Sequence, residues 1–274
     1  PPLWEAAARS ARSKMVDRAA QLGRDWEAEI AAARAERDWD AAVRDARDET
    51  VRLPEYYTMP FHAYEDGNLS VEAALEVELA ALAVHSPVFD PDGKELSPDG
   101  DERLRSSYHE AAAAMLPAGA ADGALDVVDV GCSVGLSTAA LARAFPNAAT
   151  IVGVDLSPHF LAVARHRLES GAEADALEGK DVRFVHAAAE DMACLGDASV
   201  DVVSACLVFH ELPQHAARAI LKEAHRVLRP GGHFAMMDMD PQAPAFRRIA
   251  NNAFAYTAFK STEPWLEEYA TIDL

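Results

Sequence analysis

The chain has 274 residues, enough for one large hydrophobic core or two modest ones, and half of them are hydrophobic. That is a globular composition, and no run of about 18 apolar residues offers a membrane-spanning helix. A formal charge of −20 with only five lysines repels phosphate backbones and argues against nucleic acid as a substrate.

Residues from about Leu3 to Arg52 are rich in alanine, arginine and acids, with Leu22, Trp26 and Ile30 at four-residue spacing. This predicts one or two long, mostly solvated helices with a narrow apolar stripe. Trp4, Trp26 and Trp39 on this polar background mark a candidate surface for a protein partner; the plainer alternative is helices packed on their own domain. From Leu53 to Ser70 two prolines forbid a continuous helix, and Asp66-Gly67-Asn68 signals a turn. The aromatic run from Tyr56 to Tyr64 is a lid candidate, with Tyr57, Phe61 and Tyr64 expected to touch substrate or else to glue the extension onto the core. Ser70 is placed to cap a helix from Val71 to about Val84. A loop rich in Pro, Asp and Gly, from Ser86 to Asp101, divides a helical extension (1–101) from a second domain (102–274) that starts with a helix from Glu102 to Met115.

The apolar run Val127-Val128-Asp129-Val130 reads as a strand, and Gly131-Cys132-Ser133-Val134-Gly135 as a tight turn into a helix from Leu136 to Phe145. Glycines there adopt dihedrals closed to other residues and let the backbone approach a ligand. A second strand, Thr150 to Asp155, ends in an acid suited to ribose hydroxyls. Val182 to His186 is the third, followed by Ala189-Glu190-Asp191-Met192, whose acidic pair can accept from an adenine amino group. Asp201 to Phe209 is the fourth. Leu228-Arg229-Pro230-Gly231-Gly232 turns into a fifth, His233 to Met237, and Asn251 to Lys260 reads as helical. Cys132, Cys194 and Cys206 are too few and too scattered for a disulfide framework or a zinc site, so no metal is expected.

Taken in order, Asp129 to Gly135, Asp155, Ala189-Glu190-Asp191 and Leu228 to Gly232 resemble the class I S-adenosylmethionine-dependent methyltransferases. The likeness is to the type 11 small-molecule branch that includes the ubiquinone and menaquinone methyltransferases, and it covers roughly Ala124 to Asp240. Ser133 stands where that family usually has a third glycine. The resemblance implies a doubly wound, mainly parallel α/β sheet in the order 3-2-1-4-5, Rossmann-like, with S-adenosylmethionine as cofactor. Asp129 would organise the amino acid end of the cofactor, Gly131 and Gly135 would give it room, and the Ser133 hydroxyl could contact it. Asp155 would hold ribose, with Leu156 against adenine. Glu190 or Asp191 would read the adenine amino group, Met192 would lie beside the ring, and Cys206 and Leu207 would floor the reacting methyl.

The segment 53–70 is similar to the N-terminal extension of a plant and algal group of methyltransferases, many of them predicted chloroplast proteins. That implies a chloroplast address, a cytoplasmic one being the alternative; the group commonly has tryptophan where this chain has Val71. Ser261 to Tyr269 is similar to a segment that in relatives precedes a further helix and a terminal antiparallel strand pair. That pair is expected to be missing here, leaving one sheet edge open to association.

The expected activity is methyl transfer to a small, partly apolar acceptor at carbon or oxygen. Catalysis would be in-line positioning and deprotonation, with His210 as general base and acceptor contact because its unperturbed pKa lies near neutrality. Two rivals are a non-catalytic subunit of a larger complex, suggested by the acidic extension, and a nicotinamide-dependent oxidoreductase. The latter would not explain the turn from Leu228 to Gly232.

Overall fold

Apolar runs ending in turn residues at regular spacing build a parallel sheet, because each intervening helix carries the chain back to the same edge. The computed structural model describes residues 2–62, 64–90, 92–117, 123–252, 256 and 263–272. Its strands are β1 (Leu125–Val130), β2 (Ala148–Asp155), β3 (Asp181–His186), β4 (Val200–Cys206) and β5 (Leu228–Met237). They form one sheet in the order β3-β2-β1-β4-β5, every neighbouring pair parallel. This is the expected doubly wound, Rossmann-like class I methyltransferase fold with helices ahead of it, and the order reverses direction at β1.

Ahead of the sheet lie α1 (Pro2–Gln21), α2 (Trp26–Ala35), α3 (Trp39–Ala46), α4 (Val71–His85) and α5 (Gly100–Met115). Between and after the strands come α6 (Leu136–Ala144), α7 (Pro158–Ser170), α8 (Ala174–Leu177), α9 (Gln214–Val227), α10 (Pro244–Ala250) and α11 (Leu266–Ala270). Most of the helix predicted over Asn251 to Lys260 lies outside the described residues.

The first fifty residues break into three helices rather than one or two. Gly23 turns the chain at φ +78°, and Asp25 and Asp38 then cap α2 and α3 through Ala28 and Ala41 N–H. Trp26 and Trp39 are not a partner surface: they are 3% and 5% exposed. Trp26 packs with Ala19, Leu79 and Ala83, joining α1, α2 and α4. Trp39 packs with Val43, Phe160 and Leu161, so α3 is fixed to α7 of the sheet domain. The side chain of Trp4 lies outside the described residues. A buried knot holds the extension together: Glu76, 1% exposed, accepts from the Arg12 guanidinium, the Tyr64 hydroxyl and Trp26 Nε1–H.

Two strand bounds differ from expectation by more than about two residues. β4 ends at Cys206 because Leu207 is left-handed, φ +60°, and a 3₁₀ turn Phe209–Glu211 follows. β5 begins at Leu228, and Pro230 to Gly232 form a bulge, since Val200 pairs with Leu228 while Val202 pairs with His233. Arg229 beside this bulge pairs with Asp201 at 2.6 Å and Asp126 at 2.8 Å, clamping the sheet at the end opposite the ligand loops. Among the described residues no helix is long and apolar enough to cross a membrane.

Candidate active site

The turn after β1 is shaped by backbone geometry. Gly131 has φ +65°, and a Cβ there would sit 2.7 Å from Val208 Cγ2, so only glycine lets the loop pass the turn after β4. Ser133, at φ +50°, donates its N–H to Asp155 Oδ2 at 2.8 Å. Asp129 is fully buried behind the loop. Its Oδ2 accepts from the Ser137 and Thr138 hydroxyls at 2.8 and 2.7 Å, while Oδ1 has no partner. Burial outweighs those hydrogen bonds and lifts its pKa to about 6.

At the tip of β2, Asp155 also accepts from Ser157 N–H at 2.8 Å and from the Tyr57 hydroxyl at 3.3 Å. Burial pushes its pKa up and the backbone donors pull it back. After β3, Glu190 Oε1 accepts from the Tyr56 hydroxyl, and its Oε2 is buried without a partner. The strap from Asp48 to His62 is held over these tips partly by His186, which accepts from Asp48 N–H at 2.9 Å and bonds Leu156 O at 3.0 Å.

Past β4, His210 is 9% exposed. Its Nδ1–H donates to Asp238 Oδ1 at 2.7 Å, and its backbone N–H to Asp238 Oδ2 at 3.1 Å. Burial opposes charging the ring, but the hydrogen bond and charge of Asp238 win and raise its pKa to about 9. The expected ionisation near neutrality is therefore corrected: the ring is an imidazolium at neutral pH.

The loop after β1, Asp155, Tyr56, Tyr57, Glu190, His210 and Asp238 line one cavity of about 840 Å³, together with residues of α1, α4 and α5. Of the predicted cofactor positions, Gly131, Ser133, Asp155, Leu156, Glu190 and Cys206 line it, as do Tyr57, Phe61, Tyr64, Leu207 and His210 on the acceptor side. Four predicted positions do not line it, and one is Asp129, which lies buried behind the loop on the Ser137 and Thr138 hydroxyls. Gly135 makes room for Phe184, whose Cζ would lie 2.9 Å from a Cβ there, so it serves the packing of α6. Asp191 is exposed to solvent, which leaves Glu190 as the acid facing inward. Met192 is fully buried in the core behind the cavity. Ala189 takes its place at the wall.

Several site residues carried no local signal in the sequence. Arg105 of α5 lines the cavity, pairs with Asp101 at 3.0 Å and puts Nη1 3.5 Å from Cys206 Sγ. His62, Asp238 and Glu263 converge from separate segments on the neighbouring pair His210 and Glu211. No motif surrounds them in the sequence; the left-handed residues His62, Ser133 and Leu207 mark the region as strained.

The donor set fits S-adenosylmethionine. Asp155 has a carboxylate at the strand tip for ribose hydroxyls, and the free Glu190 Oε2 suits an adenine amino group. Gly131 opens the loop, and the Arg105 guanidinium suits a carboxylate near the loop. Bound there, the cofactor would supply a methyl group activated by its sulfonium.

A methyltransferase-domain family model matches residues 128–236. A human thiol S-methyltransferase is 32% identical over 137 residues, 50% of this chain and 52% of that protein. A Pseudomonas aeruginosa ubiquinone biosynthesis O-methyltransferase is 31% identical over 126 residues, 45% of this chain and 49% of that protein. The chain thus spans about half the length of the curated relatives it matches. The crystal structure of a Bacillus subtilis YcgJ protein aligns with a TM-score of 0.42 at 22% identity, over 54% of this chain and 56% of that one. The matched residues run from within β1 to the last residues of β5 and include the glycine turn and both inward-facing acids, and over them the chain is similar to a methyltransferase domain.

Proposed function

We propose that the chain transfers the methyl group of S-adenosylmethionine to a small, partly apolar acceptor at carbon or oxygen. The observation that carries this reading is the cavity. It runs from the cofactor acids to an apolar wall made by Met15 of α1 and by Val77, Ala80, Ala81 and Val84 of α4. About 840 Å³ lies at the upper end of ordinary small-molecule sites, room for a cofactor and a second molecule. Tyr57 and Phe61 line it on the strap side, and the turn after β4 presents its polar groups to whatever enters. The protein's part would be to align the acceptor with the methyl group and accept its proton.

The similarity to a thiol S-methyltransferase favours sulfur as a second acceptor class. The likeness of segment 53–70 to a plant and algal group, and with it a chloroplast address, belongs to the same proposal. Imaging a fluorescent fusion of the full-length protein in an algal cell tests the address.

The test of function is turnover with methyl-labelled cofactor against a small-metabolite extract and, separately, against its proteins. Label in the small-molecule fraction is expected. Label only in protein would refute the acceptor class, and cofactor binding with neither fraction labelled would favour a non-catalytic subunit.

A further inference from the structure

Four titratable side chains from three separate segments meet at the cavity wall: His62, the pair His210 and Glu211, and Glu263. His62 Nε2 lies 3.3 Å from Glu263 Oε1 and 3.8 Å from Glu211 Oε1. His210 Nε2 lies 3.9 Å from the same Glu211 oxygen. Glu263 is 6% exposed, and its Oε2 has no hydrogen-bond partner. A buried carboxyl oxygen in that state calls for a polar partner from a ligand.

The charges narrow the ligand. Asp238 has both oxygens on His210, so that pair is neutral overall and turns an imidazolium toward Glu211. An ammonium group entering here would face that cation. Among the described residues, no group of three or more His, Cys, Asp or Glu is placed to hold a metal ion. A hydroxyl suits the cluster: it donates its one proton to a carboxylate, and the negative charge that develops on its oxygen is stabilised by the imidazolium.

We propose that this cluster docks the reacting hydroxyl of a phenol-like acceptor and that Glu211, not His210, takes its proton. The proposal rests on the reading that the chain transfers a methyl group. The O–H bond breaks with its proton passing to Glu211. The freed lone pair forms the O–CH3 bond, and the S–CH3 bond breaks with its electrons left on sulfur, discharging the sulfonium. Burial pushes Glu211 up to about 7 and Glu263 up to about 8, which makes Glu211 a stronger base than an ordinary carboxylate. Glu211 is faced by His62 and Tyr57 from the strap, Asn68 before α4, Asp155 at the β2 tip, His210 in its own turn, Asp238 after β5, and Glu263. His210 pulls its pKa down, and Asp155 and Asp238 push it up.

The probe is 4-phenylphenol, with its methyl ether as the control lacking the hydroxyl. Calorimetry on the protein loaded with S-adenosylhomocysteine is expected to show the phenol binding at least about tenfold tighter than the ether, the fold-change of one charge-assisted hydrogen bond. Glu211→Gln and Glu263→Gln should each narrow that gap while S-adenosylhomocysteine affinity stays the same. With labelled cofactor, transfer to the phenol should rise with pH through about 7 in the native protein. Glu211→Gln should lower it by roughly 10²–10⁴-fold. In His210→Gln the rise should move to higher pH, because the cation that lowers the Glu211 pKa is gone. Equal binding of phenol and ether, transfer to amines or thiols but not to phenols, or full activity in Glu211→Gln would each overturn the proposal. Absence of S-adenosylhomocysteine binding would instead overturn the methyltransferase reading beneath it.

Discussion

Gly131→Ala tests whether the cofactor turn and the catalytic turn are mechanically one unit. The new methyl meets two costs. At φ +65° a side chain pays a left-handed penalty of about 1–2 kcal/mol. The Cβ also lies 2.7 Å from Val208 Cγ2 and 3.1 Å from Cγ1, and overpacking of that kind costs about 1–3 kcal/mol. The sum is a destabilisation of about 2–5 kcal/mol. Val208 is β-branched and stiff at χ1, so the clash is expected to shift the segment that holds Leu207 and His210, and turnover should fall with stability. Val208→Ala removes both clashing carbons and leaves the backbone strain. In Gly131→Ala/Val208→Ala, therefore, about 1–3 kcal/mol should be recovered relative to the sum of the single substitutions. Equilibrium urea unfolding of the native protein, both single variants and the double variant, followed by tryptophan fluorescence, measures this. An additive cycle would refute the claim that Gly131 is required by its contact with Val208, and a neutral Gly131→Ala would refute the backbone argument as well.

Three further outcomes are expected. Asp155→Ala should weaken S-adenosylmethionine binding by about tenfold or more, given roughly 1.5–3 kcal/mol for a charge-assisted hydrogen bond, whereas exposed Asp191→Ala should leave it unchanged in the same calorimeter. Arg105→Met should weaken S-adenosylmethionine by about tenfold or more yet leave 5′-methylthioadenosine untouched, since only the former has the carboxylate; equal losses would remove Arg105 from the cofactor site. Glu76→Ala should cost about 3–5 kcal/mol of unfolding free energy, because the Arg12, Tyr64 and Trp26 donors lose their buried acceptor. The folded Glu76 carboxyl has a depressed pKa: burial alone would raise it, but those donors outweigh it. Its stabilisation is therefore present above the ordinary carboxyl range and fades as pH falls through the folded value, so the gap between native and Glu76→Ala midpoints should close in acid.

The sequence by itself determined the sheet. Five apolar runs with helical spacers admit a parallel, doubly wound order, and each strand bound fell within a few residues because hydrophobic runs and turn glycines are local signals. Gly131 and Asp155 were legible for the same reason: the conformation of one and the strand-tip place of the other follow from their immediate neighbours. Local signals could not separate Glu190 from Asp191, since adjacent residues point to opposite sides and only packing says which side is the cavity. They assigned Gly135 and Met192 to the cofactor when the ring of Phe184 and the core claim them. They left Trp26 and Trp39 looking like a partner surface, because a narrow stripe on a polar helix reads alike whether it packs within the chain or outside it. Tertiary structure alone decided the acceptor end. His62, Glu211, Asp238 and Glu263 are separated by up to about two hundred residues and meet only when the strap, the turn after β4 and the C-terminal segment close on one cavity. The charge state of His210 is decided there too, by a carboxylate 28 residues away that lies 2.7 Å from its ring.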